Sequence, residues 1–234
     1  MGVQLPRWVW IGASLLACVA GMVNVVGYLG FEHQAVTHLT GTTSLLGAAI
    51  AAGDTRAILH LLGVAVAFTL GAALSGMIIQ DSTLRLGRRY GVVLTIESAL
   101  LFVAIFLFKQ QQIAGALLAA MACGLQNAMA TTFSGSVVRT THLSGMFTDL
   151  GIGLGHFVRG MALPTRRLAL SALIISSFFT GSVIGAWLFR HLGYDALAVP
   201  ATLTGLTGIS YAALRHWRAI HQTAEPGPDS SSGK

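Results

Sequence analysis

Thr37-His38-Leu39-Thr40-Gly41 returns in the same chain as Thr141-His142-Leu143-Ser144-Gly145. The agreement widens on both sides. Gly21 and Asn24 precede the first phrase as Gly124 and Asn127 precede the second, and Gly47 follows the first as Gly151 follows the second. The offset is 103 residues at Asn24/Asn127 and 104 at His38/His142, so the copies differ by one inserted residue. A polar phrase duplicated in a very apolar chain implies two half-proteins built around one shared site.

Of the 234 residues, 54% are hydrophobic and 9% charged, against about 25% charged in a soluble domain. Mean hydropathy is +0.72. Such a surface cannot be covered in water, so the solvent is a bilayer and membrane lipids are the first expected partners. The net charge of +6 does not imply a nucleic-acid partner. The basic residues lie between apolar runs and form no single stripe, which is a pattern of membrane topology. Cys18 and Cys123 sit inside apolar segments at unmatched repeat positions and read as small apolar residues. Leu15-Leu16-Ala17-Cys18 resembles a lipoprotein cleavage box, but the apolar run continues to Leu29, so it reads as a first membrane helix.

Six stretches are long enough to cross about 30 Å of hydrocarbon: Trp8–Leu29, Ala57–Ile79, Tyr90–Phe108, Ile113–Phe133, Leu168–Phe189 and Ala196–Leu214. With both termini cytoplasmic, the inner side carries Arg7, Arg85, Arg88, Arg89, Arg139, Arg159, Arg166, Arg167, Arg215, Arg218 and Lys234. The outer side carries Arg56, Lys109 and Arg190. Eleven basic residues against three support six crossings with both ends inside. Thr42–Ala52 and Met146–Phe157 follow the two phrases and are too short to span. They read as re-entrant half-helices that leave the parity unchanged.

The expected fold is therefore all-α, a polytopic membrane protein of six transmembrane helices in two inverted three-helix repeats. Residues 1–110 form one repeat, 111–217 the other, and 218–234 a disordered cytoplasmic tail. Inverted repeats are a transporter plan, with the site near the midplane where interrupted helices meet. Gly71-x-x-x-Ser75 and Gly181-x-x-x-Gly185 occupy corresponding positions and let backbones approach closely. Gly27, Gly30 and Gly41, and in the second half Gly135, Gly145, Gly151, Gly153 and Gly155, are the expected helix breaks.

Irregular backbone at membrane depth must be buried in protein or line water. The expected solute pathway comprises Asn24, Thr37, His38, Thr40, Gly41, Thr42, Gln126, Asn127, Thr141, His142, Ser144 and Gly145. Asn24, Gln126 and Asn127 both donate and accept hydrogen bonds. Thr40, Thr42, Thr43, Ser144 and Thr148 suit helix capping or coordination. His38 and His142 are the candidates for a paired site, brought toward one axis by the inversion, since a histidine side chain can carry a proton or hydrogen-bond an anion. The alternative is that each locks its own half-helix. Glu97, seven residues into the third apolar segment, is a candidate proton or ion site or a helix-pairing group. Asp149 breaks the symmetry, because Leu45 stands at the matching place; it is a second candidate for proton or ion coupling, or else a partner of Arg139 or Arg159 near the inner face. Glu32 and His33 are placed at the outer rim without a chemical role. The sequence offers no metal spacing, no cofactor fingerprint and no catalytic nucleophile.

Gly21-Met22-Val23-Asn24-Val25-Val26-Gly27-Tyr28-Leu29, Thr37-His38-Leu39-Thr40-Gly41, Gly124-Leu125-Gln126-Asn127-Ala128 and Thr140-Thr141-His142-Leu143-Ser144-Gly145 resemble the YoaK-type membrane proteins, also called the DUF1275 family. The resemblance runs from about Val9 to Leu214. It implies a six-helix protein of the bacterial inner membrane and brings no assigned activity. Asn24 stands where that family often has Asp, and Thr42 where it often has Asn. The leading functional expectation is a transporter or channel for a small polar or ionic solute. A structural or partner-binding protein is the alternative, and a membrane-embedded enzyme a weaker one. Glycine-rich faces are also compatible with a homodimer.

Overall fold

The computed structural model describes residues 6–30, 36–79, 88–134 and 139–222. Eight α-helices occur among them: α1 (Arg7–Gly30), α2 (Leu39–Ala52), α3 (Thr55–Ile78), α4 (Arg88–Lys109), α5 (Ile113–Phe133), α6 (Leu143–Val158), α7 (Thr165–Leu192) and α8 (Ala198–Gln222). A short 3-10 turn, Gly193–Leu197, joins α7 to α8. Among the described residues, five stretches are long and apolar enough to cross a membrane, the last being 47 residues that contain both α7 and most of α8. The protein is a polytopic helical membrane protein.

Its packing inverts the size order of a soluble core. The interior is rich in small residues such as Ala13, Ala17, Ala20, Ala104, Ala119, Ala120 and Ala122. Large side chains such as Leu59, Leu70, Met77, Phe106, Phe157, Phe179 and Trp187 point outward. Lipid is as apolar as leucine, so helix association in a bilayer depends on close backbone approach, and small residues allow it.

Two long-range helix pairs carry this approach. Gly63 faces Leu117 and Gly71 faces Met121 and Leu125, so α3 and α5 run parallel. Ser14 Oγ lies 2.8 Å from Ser177 Oγ, Gly181 faces Cys18 and Gly185 faces Met22, so α1 and α7 also run parallel. A Cβ on Gly71 would strike the Met121 carbonyl oxygen, and one on Gly124 the Phe68 carbonyl oxygen. The second pair repeats this: Gly181 meets the carbonyl of Cys18, and Gly21 that of Phe178. α4 opposes α5, through Phe108 against Gly115 and Glu97 against Gln126. It also opposes α8, through Ser98 against Gly205 and Gly91 against Gly208. Val23 and Val26 cluster with Ala116–Cys123, while Val9, Ala13 and Ala17 cluster with Ala130, so α1 opposes α5. The long helices thus alternate in direction along the chain.

α2 and α6 are the short helices, of 14 and 16 residues, about 21 and 24 Å at about 1.5 Å per residue. α2 packs on α3 and α6 on α7. The turn from α2 to α3 is tight. Gly53 at φ 69° caps α2, and the Asp54 carboxylate accepts the Ala57 amide at 3.0 Å.

Two expectations need correction. Gly27, Gly41, Gly145, Gly151, Gly153 and Gly155 lie within helices and break none of them; Gly135 is outside the described residues. α1 ends at Gly30 as expected, and Gly53, Gly160 and Gly193, each with positive φ, follow the ends of α2, α6 and α7. Gly27 instead admits the returning chain at Val36, and Gly153 admits Leu168. Last, α8 continues to Gln222, so residues 218–222 are helical; residues 223–234 are outside the described residues, as are Glu32, His33 and Arg85.

Candidate functional site

Each half contains an asparagine on its first long helix that holds a threonine from the chain after that helix. Asn24 Oδ1 accepts the Thr37 amide at 3.1 Å and the Thr37 hydroxyl at 2.7 Å. Asn24 lies about 9 Å inside the end of α1, from the helical rise of about 1.5 Å per residue. The chain therefore leaves α1, turns back to this depth and starts α2 there. In the second half the Thr140 hydroxyl donates to Asn127 Oδ1 at 3.4 Å and to Gln126 Oε1 at 3.5 Å. Thr140 is wholly buried and Thr37 nearly so. These bonds satisfy polar groups that a re-entrant turn would otherwise leave bare in the bundle.

The anchors also locate the inserted residue. Asn24/Asn127 and Thr37/Thr140 share the offset of 103. The counterpart of Thr37 is therefore Thr140, and the extra residue falls between it and His142. Thr141, matched to Thr37 in the repeated phrase, is half-buried and not the anchor.

Gln126 extends the second anchor. Its Nε2 donates to Glu97 Oε1 at 2.9 Å, which joins α4, α5 and the chain leading to α6. Glu97 is 2% exposed and Gln126 1%. Glu97 Oε2 and Ser75 Oγ are the buried side-chain polar atoms without a hydrogen-bond partner among the described residues. An ionisable group with an unpartnered oxygen is costly to bury in a bilayer. No group of three or more potential metal ligands occurs among the described residues.

His38 and His142 head two different short helices. Each is exposed at the start of a short helix, α2 or α6. Each ring lies over the glycine three residues on, where a Cβ on Gly41 or Gly145 would strike it. The spacing His-x-x-Gly is therefore a local packing unit. The hydroxyls of the first turns are likewise local: Thr42 donates to the His38 carbonyl at 3.2 Å and Thr148 to that of Ser144 at 2.9 Å. Thr40 and Ser144 are exposed. Asp149 pairs with Arg167, through Nε at 3.0 Å and Nη2 at 2.7 Å, and not with Arg139 or Arg159. Of the sequence candidates, Asn24, Thr37, Gln126, Asn127 and Glu97 form buried or half-buried anchors. His38, Thr40, His142, Ser144 and Asp149 lie apart from them.

Sequence reasoning missed two contributors. Thr140 was hidden by the alignment of the repeated phrase, although the offset at Asn24/Asn127 would have found it. Tyr194 stacks on Phe108 at 4.9 Å, and its hydroxyl donates to the Gly30 carbonyl. Beside it Lys109 pairs with Asp195 at 2.7 Å. Together these contacts tie the ends of α1, α4 and α7.

No curated protein and no solved structure matches the chain. The family model described as "Protein of unknown function (DUF1275)" matches residues 12–210, which span both anchors and both parallel helix pairs. The chain belongs to the DUF1275 family.

Proposed function

We propose that this protein is a transporter or channel for a small polar or ionic solute, built as two inverted repeats with six crossings. Its site is the buried set Glu97, Gln126, Asn127 and Thr140, with Asn24 and Thr37 as the counterpart in the first half. One observation carries the reading: in each half an asparagine pins a returning chain inside the bundle, and in the second half that anchor is joined through Gln126 to Glu97, a buried carboxyl group with one oxygen unpartnered among the described residues. Polar groups at such depth stay only where they serve each other or a passing solute. Glu97 is the candidate for proton or ion coupling.

The inverted plan is supported by the matched parallel pairs, α1 with α7 and α3 with α5. The alternating helix directions support the orientation. They collect Arg7, Arg89, Arg166 and Arg167 at one end of the bundle and Arg56, Lys109 and Arg190 at the other. The arginine-rich end is then cytoplasmic in a bacterial inner membrane, with both termini on that side. No enzymatic activity is proposed. A second reading, a non-transporting structural or partner-binding protein, is favoured by the closure of the network, since Glu97, Gln126 and Thr140 are all buried.

Charge movement in proteoliposomes, recorded on a supported membrane during jumps of pH and of small ions, separates the two. The transport reading expects a signal that Glu97→Gln abolishes and that His38→Ala and His142→Ala leave in place. Silence of the wild type across the solute panel favours the structural reading, and a signal unchanged by Glu97→Gln removes Glu97 from the coupling mechanism.

A further inference from the structure

The two halves differ in one helix contact. α4 lies along α5, whereas the corresponding pair, α8 and α1, meet over a much shorter stretch. Between them is a cavity of about 380 Å³, within the range of about 300–1,000 Å³ for small-molecule sites. Gly12 and Leu16 of α1 and Thr204 and Thr207 of α8 form its walls, and Leu94 and Met129 its floor.

The chemistry of the lining selects the occupant. The Thr204 hydroxyl donates to the Pro200 and Ala201 carbonyls, and that of Thr207 to the Leu203 carbonyl. Both hydroxyls are thus engaged on their own helix, and between them and the aromatic end the wall is apolar apart from the weakly polar Cys18 thiol. A polar solute would lose its hydration there without replacement, so this cavity is separate from the Glu97 network. Trp8, Tyr90 and Tyr211 line it toward the arginine-rich end, and such rings sit at headgroup level. Arg7, exposed at the start of α1, adjoins Trp8. A cation beside a crevice between membrane helices receives an anionic lipid headgroup. At the other end of α1 the chain is tied down by Tyr194 on Gly30.

We infer that the α1–α8 crevice binds one acyl chain of an anionic phospholipid, with its phosphate held at Arg7. The inference does not rest on the transport reading and goes beyond it.

The test uses the full-length protein, delipidated in detergent and supplied with phosphatidylglycerol or phosphatidylcholine of identical chains. Bound lipid is counted by mass spectrometry. Space around Gly12 is open, with nothing within 4 Å of an added Cβ, so Gly12→Leu fills the crevice from α1 and Thr207→Leu from α8. The inference expects phosphatidylglycerol to be retained over phosphatidylcholine. Each filling variant lowers its affinity about tenfold, the effect of excluding a couple of buried methylene groups. Arg7→Gln removes the headgroup preference while leaving chain binding. Equal retention of both lipids by the wild type, or unchanged retention in both filling variants, overturns it. Should neither variant fold, phosphatidylglycerol with a photoreactive acyl chain maps the site on the wild type. Labels concentrated on residues 8–19 and 203–211 uphold the inference, and labels spread evenly over the lipid-facing surfaces of α3 and α6 overturn it.

Discussion

The anchor of the first half is self-contained, and that of the second is wired into the rest of the bundle. Asn24 takes two short hydrogen bonds from Thr37 and needs no other side chain. Asn127 receives one long bond from a Thr140 hydroxyl that it shares with Gln126, and Gln126 is in turn held by Glu97. At the offset of 103, Val23 stands where Gln126 stands in the second half. The two segments thus share where the chain turns back but not what holds it there. The first turn is fixed by local chemistry. The second is tied through Gln126 to an acid on another helix.

The comparison breaks most severely where both halves depend on the same device. Gly124→Leu and Gly21→Leu each drive a side chain into a facing carbonyl, and neither backbone can yield. Each is expected to cost about 3 kcal/mol or more, read as loss of the monodisperse peak on gel filtration. If only one were harmful, the two crossings would not be equivalent. Next, Gln126→Leu strips Glu97 of its donor and Thr140 of an acceptor, at about 2–3 kcal/mol in thermal unfolding. Adding Glu97→Leu to it should recover at least about 1 kcal/mol, because the pair is coupled. Additive losses would show that the two side chains act separately.

A smaller effect sharpens the contrast between anchors. Asn24→Ala should cost about 2 kcal/mol, and Asn127→Ala about 1 kcal/mol, since Gln126 still holds Thr140. Limited proteolysis of the chain between α1 and α2, and between α5 and α6, checks which turn loosens. The reverse order would place the strength of the second anchor in Asn127. Smallest of all, His38→Ala and His142→Ala should each change stability by about 0.5 kcal/mol or less. Both rings are exposed and rest on their own glycines, so equal and minor losses in unfolding temperature are expected.

The long helices and their small-residue crossings were legible because both follow from local composition: an apolar run long enough to span, and glycines four apart. The two short helices were legible by length. Three features were not. Glycine at membrane depth reads equally as a break or as a contact, and only the packing partner decides. Gly71 and Gly181 are contacts with backbone, whereas Gly53 and Gly160 end helices. The histidines sit in the most repetitive part of the chain, yet the repetition belongs to a ring-on-glycine turn. The pairing of Thr140 with Asn127 depends on where one residue was inserted, and a motif that matches on either side of an insertion hides its own register. Gln126 and Glu97 were each recognisable as unusual, but their contact joins separate helices and leaves no spacing in the sequence.

The parallel pairing of α1 with α7 has a consequence for biosynthesis. At about 5–20 residues per second, α7 emerges roughly ten seconds or more after α1 has entered the translocon. During that interval the glycine groove of α1, centred on Gly21, has no permanent mate. Whatever shields it, whether surrounding fatty acyl groups or an insertase, must be easy to displace when the late helix arrives.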